Sequence, residues 1–155
     1  MDTNGPTPVK RTIIPDVVRE QNVIALNQAT TIHDTVQVMS THNIAAVAVT
    51  DDDGKLVGIV SERDMTHRVM ACGLSPLSTP LSEIMTEKPE FLRPGDTCID
   101  AVELMLGRGF RHLPVLTDSG KIVAMVSIRD LLQAAMEELN AHLESARAQA
   151  FAPEQ

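Results

Sequence analysis

The chain has 155 residues, 43% of them apolar, and its 13 basic and 21 acidic side chains give a net charge of −8. A chain of this length and composition is typical of a small globular protein with a proper hydrophobic core. The longest strongly apolar run, residues 44–49, is far shorter than the roughly 20 residues that span a bilayer. The acidic balance argues against nucleic acid as a partner. We therefore expect neither membrane insertion nor nucleic-acid binding.

Three further features of the sequence indicate the location of the protein and the kinds of site it contains: the cysteines, the histidines and the N-terminus. Cys72 and Cys98 fit no metal or redox spacing, and two free thiols favour a reducing cytoplasmic location. The N-terminus lacks the basic start and apolar run of a secretory signal. Neither the five histidines nor the serines stand at the spacing of a metal site or a catalytic base. We expect a cytoplasmic protein that is not an enzyme and has no metal site.

The elements predicted in chain order occur twice. An extended segment is followed by a helix, a buried strand, a glycine turn, a second strand and another helix, which is the order β-α-β-β-α. In the first copy these elements are residues 22–26, a helix containing Val36 and Met39, 44–49, 51–54 and 55–60. In the second copy they are 90–92, a helix containing Ala101 and Met105, 113–116, 117–120 and 121–126.

The two copies are related by a shift of 66 residues. Between residues 31–64 and 97–130 thirteen of 34 aligned positions are identical, without a gap. Two copies are too few for a solenoid, so we expect them to pack on each other and share a core. The predicted organisation is a flexible N-terminal segment, a first repeat, a linker rich in Gly, Ser and Pro, a second repeat and a C-terminal helix extension. Their bounds are 1–10, 13–71, 72–80, 81–136 and 137–150.

Four predicted helices begin with a hydroxyl residue followed three positions later by Asp. These capping pairs begin at Thr31, Ser61, Thr97 and Ser127. Capping alone accounts for the pairs at Thr31 and Thr97. At Ser61 and Ser127 a buried strand passes directly into a helix, and such a junction also attracts phosphate.

These junctions and their surroundings resemble the cystathionine β-synthase (CBS) domain. The resemblance rests on residues 58–64 and 124–130, with further matches at 84–86 and 111–115. The chain is similar to a stand-alone, short bacterial-type tandem pair, called a Bateman module. The resemblance implies an α/β (α+β) fold in which two β-α-β-β-α repeats pack with pseudo-twofold symmetry around clefts. It also implies a regulatory protein that binds AMP, ADP, ATP, NAD or S-adenosylmethionine.

The second repeat predicts the stronger ligand site. Asp130 can accept hydrogen bonds from the two ribose hydroxyls, and Ser127 can donate to a phosphate at the helix N-terminus. Arg111, His112 and Arg129 would offset the phosphate charge. Met125 would form part of an apolar slot for adenine. The alternative is that the two Arg side chains are solvated or ion-paired and that His112 is an ordinary half-buried histidine.

The first repeat predicts a weaker site. It contains Ser61, Arg63 and Asp64, and Thr86 lies near the base at the mirror-related site in the family. Where the second repeat has Arg111 and His112, however, the first repeat has only alanines. Glu20 takes the position that corresponds to Thr86 in the other cleft. We therefore expect one competent cleft at Ser127/Asp130 and one weak or unoccupied cleft at Ser61/Asp64.

The C-terminal residues predict a long helix with an apolar stripe at heptad spacing. The stripe consists of Leu132, Met136, Leu139, Leu143 and Ala146. It either packs on the protein's own core or forms a homodimer contact.

The resemblance therefore implies energy or metabolite sensing through an adenine nucleotide, AMP or ATP first, with no required cofactor. The alternative is a protein-interaction or dimerisation module whose clefts are vestigial. An unidentified regulated enzyme or transporter is compatible with either reading.

Overall fold

A computed structural model describes residues 11–151, so the predicted flexible segment 1–10 lies outside the described residues. The segment 62–70 continues from α-helical into π-helical geometry, and short helical turns at Ile13–Val17 and Leu81–Glu83 begin the two repeats. The strands and helices are β1 Ala25–Asn27, α1 Ile32–His42, β2 Ala46–Thr50, β3 Leu56–Ser61, α2 Glu62–Asp64 with Met65–Met70, β4 Thr86–Glu87, α3 Cys98–Arg108, β5 His112–Leu116, β6 Ile122–Ser127 and α4 Ile128–Ala150. This order confirms the predicted mixed fold with a long C-terminal helix.

The sheet of the first repeat has four strands in the order β1-β2-β3-β4. The β1–β2 pair is parallel and the other two pairs are antiparallel. In the second repeat β5 pairs with β6 alone. Its outer positions are occupied by isolated residues: Leu92 bridges Val115 on one side, and on the other the Gln21 N–H donates to the Val123 carbonyl at 2.8 Å. The extended segment predicted at 90–92 is therefore reduced to one bridge.

The hairpin turns and helix ends follow their local sequence. Gly54 and Gly120 have φ values of 78° and 84°, which a tight hairpin turn requires and which glycine adopts without a steric cost. Thr31 and Thr97 cap α1 and α3 by accepting from the backbone N–H groups of Asp34 and Asp100.

Each repeat completes its core with a segment from the other half of the sequence. The core beneath the first sheet contains Leu81 and Ile84, although the chain reaches them only after the linker. The core beneath β5 and β6 contains Ile13 and Val18, from the start of the described chain. The predicted boundaries at 13, 71 and 81 therefore mark the repeats along the sequence. In the folded chain, the segment that begins each repeat packs into the core of the other repeat.

The helix α4 has 23 residues, and most of its apolar stripe lies away from the core. Leu132, Met136, Leu139 and Leu143 are between 48% and 61% exposed. The alternative in which the stripe packs on the protein's own core is therefore wrong. Within residues 11–151, no helix combines the length and apolar character that crossing a membrane requires.

Candidate functional site

The junction between β3 and α2 holds a carboxylate at a helix N-terminus. The Ser61 N–H and hydroxyl both donate to Oδ2 of Asp64, at 2.8 and 3.2 Å. The other oxygen, Oδ1, is 3.5 Å from Nε of Arg68. Arg68 is fixed in turn, because its Nη1 donates to the Ile84 carbonyl at 2.8 Å. Asp64 is thereby held in one orientation, with Oδ1 turned away from the cap.

A cleft of about 580 Å³ opens at this junction. Both repeats contribute to it, because the β3–α2 junction and Thr86 meet the loop between α3 and β5. The cleft is lined by Ala45, Ile59, Ser61, Glu62, Arg63, Asp64, His67, Arg68, Thr86, Arg108, Gly109, Phe110, Arg111 and His112. Thr86 reaches this position because β4 pairs with β3 and sets Thr86 opposite Ile59.

The cleft is positively charged in an acidic protein. Its four Arg and two acidic residues give 4 − 2 = +2 with neutral histidines, against −8 for the chain. Among the described residues, neither Arg63 nor Arg111 has an ion-pair partner within 4 Å. One uncommitted guanidinium from each repeat therefore lines the cleft, and guanidinium groups bind phosphate oxygens bidentately.

His112 is half-buried at the edge of β5. Burial lowers the pKa of its imidazole, and nearby Arg111 adds to that effect. The carboxylates of Asp130 and Glu62 act in the opposite direction on this pKa, without reversing it. The ring is therefore neutral at pH 7 and offers one N–H donor and one acceptor nitrogen.

The junction between β6 and α4 repeats the cap geometry. The Ser127 N–H and hydroxyl donate to Oδ2 of Asp130 at 2.8 and 2.9 Å, and the Asp130 N–H donates to the Ser127 hydroxyl oxygen at 3.2 Å. Arg129 is exposed beside them. Met125 lies on β6, where its N–H donates to Oε1 of Gln21 at 3.2 Å. Met125, Ser127, Arg129 and Asp130 do not line the 580 Å³ cleft.

The structure divides the predicted site residues differently from the sequence analysis. Arg111 and His112 were grouped with Ser127 and Asp130, but they line the cleft that contains Ser61. The reason is the crossed packing, which sets the loop before β5 of one repeat against the helix N-terminus of the other. The Ser61 cleft therefore has the Arg and His side chains that it was expected to lack.

Alignment of the repeats by the 66-residue offset shows which side chains of the Ser61 cleft have no counterpart at the Ser127 junction. Ala134 takes the position of Arg68, so no cation stands one turn after Asp130 on its helix. Glu20 takes the position of Thr86, and its carboxylate would repel an anionic ligand. The richer set of cationic and polar side chains is at Ser61.

Among the cleft residues that sequence reasoning missed are Arg68, Arg108 and Phe110. Arg68 follows Asp64 by four residues, the spacing of a helical ion pair, and that signal could have identified it. Arg108 precedes Arg111 by three residues on the same segment. Phe110 provides an aromatic ring.

The part of the chain that the structure describes contains no group of three His, Cys, Asp or Glu residues placed to hold a metal ion. Cys72 and Cys98 are free thiols, as predicted. Burial, assisted by the carboxylate of Glu138, raises the pKa of the Cys98 thiol, which therefore stays protonated at neutral pH.

Comparison with known sequences identifies two domains. The model of the CBS domain matches residues 15–71 and 81–137. The CBS domain-containing protein CBSCBSPB2 of Arabidopsis thaliana is 33% identical over 138 residues, which are 89% of this chain and 26% of that protein. A 17.7 kDa protein of Acidianus ambivalens is 35% identical over 107 residues, which are 69% of this chain and 63% of that protein. The chain thus spans less than two thirds of the length of these relatives.

Solved structures share the fold. A CBS-domain containing protein from Agrobacterium tumefaciens aligns with a TM-score of 0.69 at 31% identity, over 76% of this chain and 86% of that one. CBSX2, crystallised in complex with AMP, aligns with a TM-score of 0.62 at 24% identity, over 76% of this chain and 90% of that one. With the two matched domains and the crossed cleft between the repeats, these likenesses show that the chain belongs to the CBS domain family as a tandem pair.

Proposed function

We propose that this CBS pair is a regulatory module that binds an adenine nucleotide (AMP, ADP or ATP) in the cleft at Ser61 and Asp64. The observation that carries the proposal is the composition of that cleft. A carboxylate held at a helix N-terminus lies with Arg side chains from both repeats that have no ion-pair partner among the described residues. A nucleotide presents the matching groups, a ribose diol and a phosphate.

The roles follow from the chemistry of each group. Asp64 accepts hydrogen bonds from the ribose hydroxyls through Oδ1, because Oδ2 is committed to the Ser61 cap. Arg63 and Arg111 bind the phosphates with charge-assisted hydrogen bonds. Ile59, Thr86 and the Phe110 ring provide the slot for adenine.

The charge of the cleft ranks the ligands that were predicted from the sequence. S-adenosylmethionine carries a sulfonium cation, which a cleft of charge +2 disfavours. AMP and ATP, and then NAD, carry the phosphate groups that the cations require. CBSX2 shares the fold and is crystallised with AMP, which agrees with this ranking.

Calorimetric titration of the folded, nucleotide-free chain with AMP, ATP, NAD and S-adenosylmethionine tests the proposal. We expect a Kd near or below ~10 μM, about −7 kcal/mol, for AMP or ATP. The heat should be lost in Asp64→Asn and kept in Asp130→Asn. No heat with any ligand would favour the alternative, an interaction module with vestigial clefts.

We further propose that the module is a homodimer that acts on an unidentified regulated protein in the cytoplasm. The exposed stripe of α4 favours self-association, because Leu132, Met136, Leu139 and Leu143 lie at the a and d positions of heptads. The acidic residues of this segment, Glu137, Glu138 and Glu144, stand at b and c positions away from the stripe. A second copy of an acidic chain can therefore approach this face without direct repulsion between carboxylates. The free thiols fit a reducing compartment.

A further inference from the structure

Arg108 connects the proposed nucleotide cleft with a residue outside it. It is the last residue of α3 and lines the cleft. Its Nη2 atom is 3.4 Å from Oε1 of Glu90. Glu90 does not line the nucleotide cleft. It lies in a second cavity of about 520 Å³, formed between the hairpin turns of the two repeats.

Glu90 belongs to the segment that joins the two sheets. β4, at the edge of the first sheet, ends at Glu87. Two residues beyond Glu90, the Leu92 N–H donates to the Pro114 carbonyl at 2.8 Å and fastens the segment to β5. The Arg108–Glu90 pair therefore ties the end of α3 to the connection between the repeats.

This ion pair is weak enough to be displaced. Its side chains are 64% and 40% exposed, and its N···O distance is longer than that of a strong charge-assisted hydrogen bond. A nucleotide phosphate offers a guanidinium more negative charge and bidentate geometry. The same guanidinium cannot satisfy both partners fully, so phosphate binding at Arg108 competes with Glu90.

We propose that Glu90 is an internal competitor for the phosphate of the ligand: it holds Arg108 in the free protein and releases it when a nucleotide binds. This inference rests on the proposed nucleotide function of the cleft. Glu90 then has two effects. Glu90 lowers the affinity for nucleotide, and its release on binding transmits occupancy of the cleft to the segment that joins the repeats.

The test compares Glu90→Gln with Glu87→Gln in calorimetric titrations with ATP and with AMP. Both variants lose one negative charge from the same segment, but Glu87 has no ion-pair partner within 4 Å among the described residues. We expect Glu90→Gln to bind nucleotide about two- to fivefold more tightly than Glu87→Gln, the range that an exposed ion pair allows. In an Arg108→Ala background this difference should vanish, because the contested guanidinium is gone.

Equal affinities of Glu90→Gln and Glu87→Gln, in a protein whose wild type binds nucleotide, would overturn the inference and leave the proposed function intact. A difference that persists in the Arg108→Ala background would also overturn it, since Glu90 would then act through another group. A folded wild type that binds no nucleotide would defeat the proposed function and this inference with it.

Discussion

His112 pairs with Ser127 in the register of β5 and β6, and it also lines the cleft that contains Ser61. One histidine is thus placed between the N-termini of two helices, one from each repeat. The carboxylates of Asp130 and Glu62, one at each junction, both act to raise the pKa of its imidazole against the larger effect of burial. A charge that enters the cleft therefore acts on a group that the two repeats share.

We expect nucleotide binding to be coupled to protonation of His112. Burial lowers the pKa of the free imidazole below its ordinary value of about 6.5, and a phosphate nearby would raise that pKa. The complex then binds more protons than the free protein, so affinity should rise as the pH falls from neutral toward the pKa of the free imidazole. Titrations in buffers of different ionisation enthalpy should reveal the proton uptake. His112→Asn should lose it, while His142→Asn, on the exposed surface of α4 outside the cleft, should keep it.

The same pKa predicts how the stability of the protein without ligand depends on pH. Because the pKa of His112 is lower in the folded than in the unfolded state, the unfolded chain binds more protons. The free energy of unfolding should therefore fall as the pH drops from about 6.5 through the pKa of the folded state. Urea unfolding at several pH values should show a smaller loss in His112→Asn. An identical pH profile for both proteins would contradict this assignment.

Arg111→Ala should weaken nucleotide binding by about 1.5–3 kcal/mol, the contribution of a hydrogen bond to a charged group. Arg111 is exposed and has no ion-pair partner among the described residues, so the fold should keep its thermal midpoint. Arg93→Ala is the matched control, because Arg93 pairs with Asp118 away from the cleft. An unchanged affinity of Arg111→Ala would remove Arg111 from the site.

The two repeats provide an internal comparison at Asp64 and Asp130. Each carboxylate accepts from the N–H and hydroxyl of its own Ser, so either Asp→Asn change should reduce stability by about 0.5–2 kcal/mol through the weakened cap. Only Asp64→Asn should also lose affinity, since Arg68 and Thr86 accompany Asp64 alone. Equal losses of affinity in the two variants, measured by calorimetry, would instead indicate two comparable sites.

Gly58→Ala should destabilise the first repeat by about 1–3 kcal/mol, as overpacking does in a filled core. A Cβ atom at Gly58 would lie 2.5 Å from Sδ and 3.1 Å from Cβ of Met85, the residue before Thr86. Gly107→Ala is the control, because a Cβ atom there meets nothing within 4 Å and alanine favours the helix. Thermal unfolding should move in opposite directions for the two variants.

Replacement of Leu139 or Leu143 by Glu should convert the proposed dimer into a monomer. Both side chains are about half exposed on α4, so the fold of one chain should tolerate the charge. Sedimentation velocity over a range of concentrations measures the change, with Ala141→Glu, outside the stripe, as control. A wild type that sediments as a monomer at every concentration would exclude the dimer.

The repeat was the most informative feature of the sequence, and it predicted the elements because apolar spacing and capping residues are local signals. Thr31, Thr97, Gly54 and Gly120 all occupy the caps and turns that their types favour. The assignment of Arg111 to a cleft could not be made from such local signals. It depends on which junction of the other repeat faces the loop before β5, and that is a property of packing between the repeats.

The outer strands illustrate the same limit. The extended segment predicted at 90–92 keeps only the Leu92 bridge, while the two-residue strand β4 was not predicted at all. Such short segments carry little periodicity of their own. Their conformation is set by the strand edge against which they pack, so a single sequence contains a weak signal for them.

The exchange of leading segments makes the pair, rather than the repeat, the cooperative unit of this protein. A fragment that ends before Leu81 would lack two side chains of its own core, and one that begins after Val18 would lack two from the other. Neither half of the duplicated sequence is therefore equipped to fold as an autonomous domain. A substitution that loosens one core will lower the melting temperature of the whole chain, and the two repeats must have diverged under one shared stability constraint.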